Sequence, residues 1–322
     1  MREGVEYVLS DVLPDREPLS EVGAEILEQV TWSPEKARMY SVEQYFREAC
    51  WTFGGDLPRM LGITLCMLKA EATAGRRLGR AVQALAGAGF TPVDVVPFRH
   101  DRLTIREVWR HHFNLATPQR VEAMDLILPS TDTVCLVLKD TAWRPGRMPA
   151  AVRLNSLKGP ADPSQRLPAH LRHQLGVVNG LFNFMHCSDE PIDVFREIAV
   201  LCDEERRALM RERILADHDA LPEVRAVFTA LEERHPAHDF DYELSWKRLA
   251  AAPGAPGRLA ARRAAGEDVT LAEVMAVTHG VPYEDPHRWD LLTVVTHLLE
   301  DMNVPGLSPS VPAVTADWGG PR

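Results

Sequence analysis

The segment Asn183-Phe184-Met185-His186-Cys187-Ser188-Asp189 is the part of the sequence best suited to chemistry. His186 ends an apolar run, and Ser188 and Asp189 are residue types that favour turns and helix caps. We therefore expect the imidazole where a short strand ends, a common location for active sites. A neutral imidazole nitrogen is a good nucleophile near neutral pH and can hold a phosphoryl group transiently.

A histidine beside a turn is more often structural than catalytic, so the interpretation depends on its neighbours along the chain. The loop Gly159-Pro160-Ala161-Asp162-Pro163 and Arg172 precede His186, and Glu197 follows it. Further upstream, the apolar run Ile63–Leu68 ends at Lys69. Phosphoryl transfer needs an in-line nucleophile and cations on the phosphate oxygens, and these residue types supply both. Taken singly, each could equally be a solvated charge or an ordinary turn residue.

In their order and spacing, these residues resemble the nucleoside diphosphate kinase family over about residues 63–202. Members of that family have a strand ending in Lys-Pro-Asp and a Gly-x-Thr-x-Pro loop followed by an arginine. An Asn-x-x-His-Gly-Ser-Asp motif and a glutamate one helix later complete the pattern. The histidine motif is specific and departs only in Cys187, which replaces its glycine, whereas Lys69-Ala70-Glu71 matches the lysine motif only loosely.

The resemblance implies a role for each matching residue. His186 would be the phosphorylated nucleophile, Glu197 would accept a hydrogen bond from the other ring nitrogen, and Ser188 would support that carboxylate. The residues expected to bind the nucleotide or its phosphates are Lys69, Arg172, Asn183, Arg153 and Asn155. Magnesium is expected with the nucleotide, held by its phosphates rather than by protein ligands.

Several positions depart from the family pattern. Ala161 replaces the loop threonine, and Asn155 replaces a second arginine, with Arg153 nearby but out of register. The stretch Asn114–Arg120, where the family stacks the base on a phenylalanine, has no aromatic residue. We therefore expect the phosphohistidine machinery to be largely present and the nucleotide to be held loosely or by other residues.

The elements that must position these residues follow from the apolar pattern. Strands are predicted at Ile63–Leu68, Phe90–Phe98, Thr133–Leu138 and Phe182–Met185, with helices between them and a further helix at Ile192–Leu201. This alternation predicts an α/β sandwich, one sheet with helices on a face. The resemblance implies more narrowly the ferredoxin-like antiparallel sheet of nucleoside diphosphate kinases.

The rest of the chain is predicted to be helical. We predict a helical N-terminal extension at 1–60, a nucleoside diphosphate kinase-like domain at 61–203 and a helical C-terminal region at 204–322. Capping boxes are predicted at Ser41-x-x-Gln44 and Thr270-x-x-Glu273, and Ser33-Pro34 should start another helix. The aromatic residues of the extension should pack against the central domain rather than face water.

Composition narrows the function classes. With 322 residues, 45 % apolar content and a net charge of -10, the chain can bury a core and is unlike a general nucleic-acid binder. It has no membrane-length apolar run, and Met1-Arg2-Glu3-Gly4 does not begin a signal peptide, so we expect a cytoplasmic protein. The five cysteines lack metal-ligand spacing and are interpreted as buried thiols.

Three functions stay open at this point. The first is a phosphotransferase that moves the γ-phosphate of a nucleoside triphosphate through His186 to a phosphate acceptor. The second keeps the nucleotide site but serves a specialised acceptor or reaction, and the third is a non-catalytic interaction protein. The first is favoured because His186, Glu197 and Arg172 are all present. The resemblance also allows a homo-oligomer.

Overall fold

The computed structural model describes residues 22–176, 178–311 and 318. Its centre is a sheet with the strand order β2-β3-β1-β4, in which all neighbouring strands are antiparallel. The strands are β1 (Ile63–Leu68), β2 (Phe90–Phe98), β3 (Thr133–Asp140) and β4 (Met185–Cys187). The predicted fold class, a ferredoxin-like antiparallel sheet with helices, is confirmed.

Helices precede the sheet, connect its strands and follow it. Before β1 lie α1 (Ala24–Val30), α2 (Pro34–Tyr40), α3 (Gln44–Phe53) and α4 (Leu57–Met60). Between β1 and β4 lie α5 (Ala70–Ala74), α6 (Leu78–Gly87), α7 (Arg102–Val108), α8 (Pro118–Ile127), α9 (Ala150–Lys158) and α10 (Leu171–Leu175). After β4 follow α11 (Pro191–Leu201), α12 (Glu204–Leu215), α13 (Leu221–Arg234), α14 (Tyr242–Ala250), α15 (Gly254–Ala264), α16 (Leu271–His279) and α17 (Arg288–Leu298).

Both faces of the sheet are covered, and β1 shows this most clearly. Side chains alternate along a strand, so Ile63, Leu65 and Met67 enter one core, and Cys66 and Leu68 enter the other. All six β1 residues are buried. When a strand is buried on both faces, nearly all of its residues are apolar. This made β1 recognisable in the sequence.

The N-terminal helices and helices α13–α17 cover opposite faces, whereas α12 packs on the N-terminal side through Met210 and Ile214. Phe46 and Phe53 of α3 pack on Phe195 of α11, each with ring centroids 6.1 Å apart. On the other face, Trp289 and Val294 of α17 join the core that contains Cys66 and Leu68. Of the four aromatic side chains of α3, Phe46 and Phe53 are buried and Tyr45 is half-buried, whereas Trp51 is 61 % exposed.

Two local predictions were wrong. Strand β4 begins at Met185 rather than Phe182, because Phe184 has φ +68°, a left-handed conformation that interrupts an extended chain. Ser41 does not begin a helix but ends α2, and Glu43 precedes the first turn of α3. The other two helix starts are confirmed, since the Ser33 and Thr270 side chains accept hydrogen bonds from Lys36 N and Glu273 N.

Among the described residues, none of the helices combines the length and apolar content needed to cross a membrane. Residues Met1–Gly4, on which the expectation about a signal peptide rests, lie outside the described residues. The outer ends of the 1–60 and 204–322 regions also include residues outside them. The division of the chain into three domains stays a prediction.

Candidate active site

His186 lies on the edge strand β4, paired with Met67 of β1. The backbone just before it is fixed from two sides. The N–H of Phe184 donates to Glu71 Oε1 at 3.0 Å, and its carbonyl accepts from Lys69 N at 2.9 Å. A left-handed φ at a bulky residue costs energy and persists only where the surroundings impose it, and such residues concentrate at functional sites.

A carboxylate and a hydroxyl hold the His186 ring from one side. Nε2 of His186 lies 2.7 Å from Glu197 Oε1, and Ser188 Oγ donates to Glu197 Oε2 at 2.6 Å. A carboxylate acceptor makes Nε2 the protonated nitrogen and leaves the lone pair on Nδ1. Among the described residues, Nδ1 has no hydrogen-bond partner.

Glu197 stays ionised because its neighbours outweigh its burial. Burial alone would raise the pKa of this carboxyl, but the charge and hydrogen bond of His186 and the hydrogen bond of Ser188 hold the pKa below its ordinary value. A negative charge is therefore available beside the ring, and it would stabilise positive charge developing on the imidazole.

His186 opens onto a cavity of about 540 Å³. This volume lies within the roughly 300–1,000 Å³ of small-molecule sites. Three cationic side chains from distant parts of the chain line it together with His186, namely Lys69, Arg120 and Arg172. The cavity wall thus combines a histidine with positive charge, and cationic side chains of this kind suit a phosphate ligand.

Lys69 is buried at the end of β1. Its Nζ donates to the carbonyl of Leu181 at 3.0 Å and lies 2.7 Å from Glu71 Oε1. Burial lowers the pKa of the Lys69 ammonium, and the nearby Glu71 carboxylate partly opposes this. Glu71 therefore pairs with the Lys69 ammonium and also accepts the hydrogen bond from the Phe184 backbone.

Two backbone carbonyls hold the Arg172 guanidinium. Its Nη1 donates to Gly159 O and its Nη2 to Met185 O, both at 2.8 Å. Burial lowers the pKa of Arg172 to about 10, which still leaves it charged at neutral pH. Gly159 itself needs a φ of +81°, and a Cβ there would lie 2.5 Å from the His170 ring, so only glycine fits.

Several buried polar atoms of cavity residues lack a protein partner. Nε of Arg172, Nε of Arg120 and Oδ1 of Asn183 have no hydrogen-bond partner within the described part of the chain. Asn183 uses its Nδ2 to donate to Gly180 O at 2.7 Å. Buried polar groups are normally satisfied, so these three unpaired atoms, on side chains that line one cavity, fit a polar ligand there.

Arg153 and Asn155 do not line this cavity. Both lie on α9, and Arg153 Nη2 donates to Ala88 O at 2.6 Å while Nη1 lies 2.9 Å from Asp140 Oδ1. The Arg153 guanidinium also packs over Phe90, 4.7 Å from the ring centroid. Its charge and its planar face are thus used in holding α9 to the sheet, and the candidate site does not include these two residues.

Sequence reasoning missed Trp109, which meets the His186 ring edge-on with 5.4 Å between centroids. His112 and Phe113, which lie just before the stretch Asn114–Arg120, also line the cavity. Trp109 is an aromatic residue slightly further upstream, so a wider search there would have found it. Residues after α17 form the remaining wall, and no signal in the sequence connected them with His186.

The N-terminal helices secure the helix that carries Glu197. Lys36 Nζ lies 2.6 Å from Asp193 Oδ2 and 3.1 Å from Glu190 Oε2 at the start of α11. Tyr40 Oη donates to Asp193 Oδ1 at 3.0 Å. These groups are buried, so α2 fixes the first turn of α11 through ionic hydrogen bonds.

Comparison with known proteins assigns a family to the centre of the chain. Residues 63–206 match the family model "Nucleoside diphosphate kinase". The match covers under half of the 322 residues, and it leaves the flanking helical regions unassigned. The central segment is therefore a domain of the nucleoside diphosphate kinase family. No curated protein matches the chain.

Solved structures similar to this chain include three nucleoside diphosphate kinases. The enzyme from Aquifex aeolicus is 23 % identical, with 45 % of this chain and 96 % of that chain covered and a TM-score of 0.38. The apo enzyme from Encephalitozoon cuniculi is 18 % identical, with 45 % and 91 % covered and a TM-score of 0.38. An NDP kinase from Pyrobaculum aerophilum is 18 % identical, with 45 % and 97 % covered and a TM-score of 0.38.

Proposed function

We propose that the protein is a phosphotransferase that moves the γ-phosphate of a nucleoside triphosphate to a phosphate acceptor through a phosphohistidine on His186. The observation that carries the proposal is the pairing of Nε2 with Glu197, which leaves the Nδ1 lone pair free beside a cation-lined cavity. Family membership of the central segment supports the same reaction class.

The proposed reaction has two halves. In the first, the Nδ1 lone pair of His186 attacks the γ-phosphorus, the bond to the bridging oxygen breaks, and the nucleoside diphosphate leaves with that electron pair. In the second, an oxygen of the acceptor phosphate attacks the same phosphorus and the N–P bond breaks. Lys69, Arg120 and Arg172 would balance the charge of the phosphate oxygens in both halves.

We expect magnesium to enter the site bound to the nucleotide. Asp162 is a carboxylate on the cavity wall and could hold one of its water ligands. When bound, the ion would neutralise phosphate charge. A cytoplasmic location and a homo-oligomer are also proposed, on the family relationship of the central segment.

A ping-pong experiment tests the function. The protein is labelled with triphosphate carrying a radioactive γ-phosphate and magnesium, freed of nucleotide, and then offered single nucleoside diphosphates. We expect the label to leave the protein and appear in the corresponding triphosphate. Labelled protein that keeps its phosphate with every common diphosphate would favour a specialised acceptor, and failure to label would favour a non-catalytic protein.

Replacing Arg172 should weaken phosphate binding. Arg172→Met removes a buried cation from the cavity wall. Hydrogen bonds to charged groups contribute about 1.5–3 kcal/mol, so affinity for magnesium-ADP should fall by roughly ten- to a hundredfold. Isothermal titration measures this, with the exposed Arg144→Met as the control. Equal affinity in the two variants would remove Arg172 from the proposed site.

A further inference from the structure

The chain that follows α17 runs across the cavity and along the loop before α8. We call residues 299–304 the C-terminal strap. Asn303 pairs with Ala116 in an isolated antiparallel bridge, and Val304 N donates to Leu115 O at 2.7 Å. Thr117 anchors the strap twice, because its Oγ1 donates to Asp301 O at 2.7 Å and its N donates to Met302 O at 3.3 Å.

The strap covers the stretch where the family pattern places the base-stacking ring. That stretch, Asn114–Arg120, has no aromatic residue, and its backbone is paired with the strap instead. Met302 reaches across to the opposite wall, where its Cε lies 3.7 Å from the position that a Cβ on Gly180 would take. A side chain of the C-terminal region therefore lies between the two walls at the base end of the site.

The strap lines the cavity without filling it. Leu299, Glu300, Met302 and Asn303 are all cavity-wall residues, and about 540 Å³ is enclosed with the strap in place. α8 and the turn after it also contribute Met124, Ile127 and Leu128. With Leu299 and Met302 these residues give the cavity an apolar wall section, next to the polar side chains of Glu300, Asn303 and Arg120.

The strap also positions one of the cavity cations. Arg120 Nη1 donates to Asn303 Oδ1 at 2.5 Å, and its neighbouring Nε is buried without a partner. Asn303 thus fixes the orientation of a guanidinium on the cavity wall. The strap contributes both an apolar contact and the placement of a donor.

We propose that the C-terminal strap is part of the nucleotide site and that Met302 takes the role of the missing stacking ring. This proposal rests on the proposed function, since it assumes that the substrate is a nucleotide. A thioether packs favourably against aromatic rings, so Met302 is chemically suited to hold a base. Met302 would then be the residue that distinguishes a nucleotide from a bare phosphate chain.

Binding of two probes to Met302→Ala tests the assignment. ADP with magnesium carries a base, whereas inorganic tripolyphosphate with magnesium presents phosphates alone. We expect Met302→Ala to lower the affinity for ADP by about tenfold, a loss of one apolar contact, and to leave tripolyphosphate binding unchanged. Met302→Leu should keep most of the ADP affinity, and Leu307→Ala, an exposed residue beyond the strap, should bind both probes like the wild type.

Unchanged or tighter ADP binding by Met302→Ala would overturn the proposal, because Met302 would then make no contribution to nucleotide binding or would hinder it. An equal loss for both probes would overturn it too, since the contact would not involve the base. If ADP binding depends on Met302 but His186 is not phosphorylated, the proposed function fails while the proposal about the strap stands. A wild type that binds no ADP would overturn both proposals.

Discussion

Replacing Glu197 with glutamine should slow phosphorylation of His186 by roughly 10²–10⁴-fold, the usual range for a group that assists proton position and charge at the reacting centre. The amide keeps the size of the side chain but removes the negative charge 2.7 Å from Nε2. Its NH₂ group can also donate to the ring, which would favour the tautomer whose Nδ1 carries the proton and cannot attack. Rapid-quench labelling with γ-labelled triphosphate measures the rate.

A second histidine–glutamate pair provides the matched control. His279 Nε2 lies 2.9 Å from Glu122 Oε1 on the protein surface, with both side chains about half exposed. Glu122→Gln should label at the wild-type rate. If Glu197→Gln also labels at that rate, the carboxylate does not assist the nucleophile and its hydrogen bond with His186 is only structural.

The largest effect on stability is expected at Lys36. Lys36→Met should lower the free energy of unfolding by about 3–5 kcal/mol, because removing one partner leaves buried charge uncompensated. Its ammonium lies between Asp193 and Glu190, and all three side chains are largely buried. Burial alone would lower the pKa of Lys36, but these carboxylates hold it above its ordinary value.

Urea unfolding at neutral pH measures the change, with the exposed Lys247→Met as the control. The double variant Lys36→Met with Asp193→Asn should recover part of the lost free energy of unfolding, since it removes one of the carboxylate charges left without the Lys36 ammonium. A Lys36→Met variant that unfolds within about 0.5 kcal/mol of the control, the usual limit for surface substitutions, would show that α2 contributes little to holding α11.

Local patterns in the sequence predicted the nucleophile and its support. His186, Ser188 and Glu197 lie within 12 consecutive residues, and the structure places them in one hydrogen-bonded group. Strand β1 was recognisable because burial on both faces made it apolar at every position except Thr64. The boundary of β4 was misplaced because a φ of +68° at Phe184 depends on contacts with Lys69 and Glu71, which are distant in sequence.

Other features depend on contacts between distant parts of the chain, so local sequence patterns do not predict them. Nothing in its spacing shows that Arg153 faces Asp140 and Phe90 rather than the cavity. The strap is 184 residues from Thr117 in sequence at the Asp301 contact, so no motif connects the two. The expectation that other residues hold the nucleotide base stays a prediction, and the residue that we propose for that role is a methionine.

Labelling of the intact protein shows whether phosphate is transferred to His186. Wild type and His186→Ala are incubated with γ-labelled nucleoside triphosphate and magnesium, and the protein-bound phosphate is counted before and after mild acid. We expect one phosphate on the wild-type chain, lost in acid as a phosphorus–nitrogen bond should be, and none on His186→Ala. Equal labelling of the two proteins, or none on either, would contradict the account.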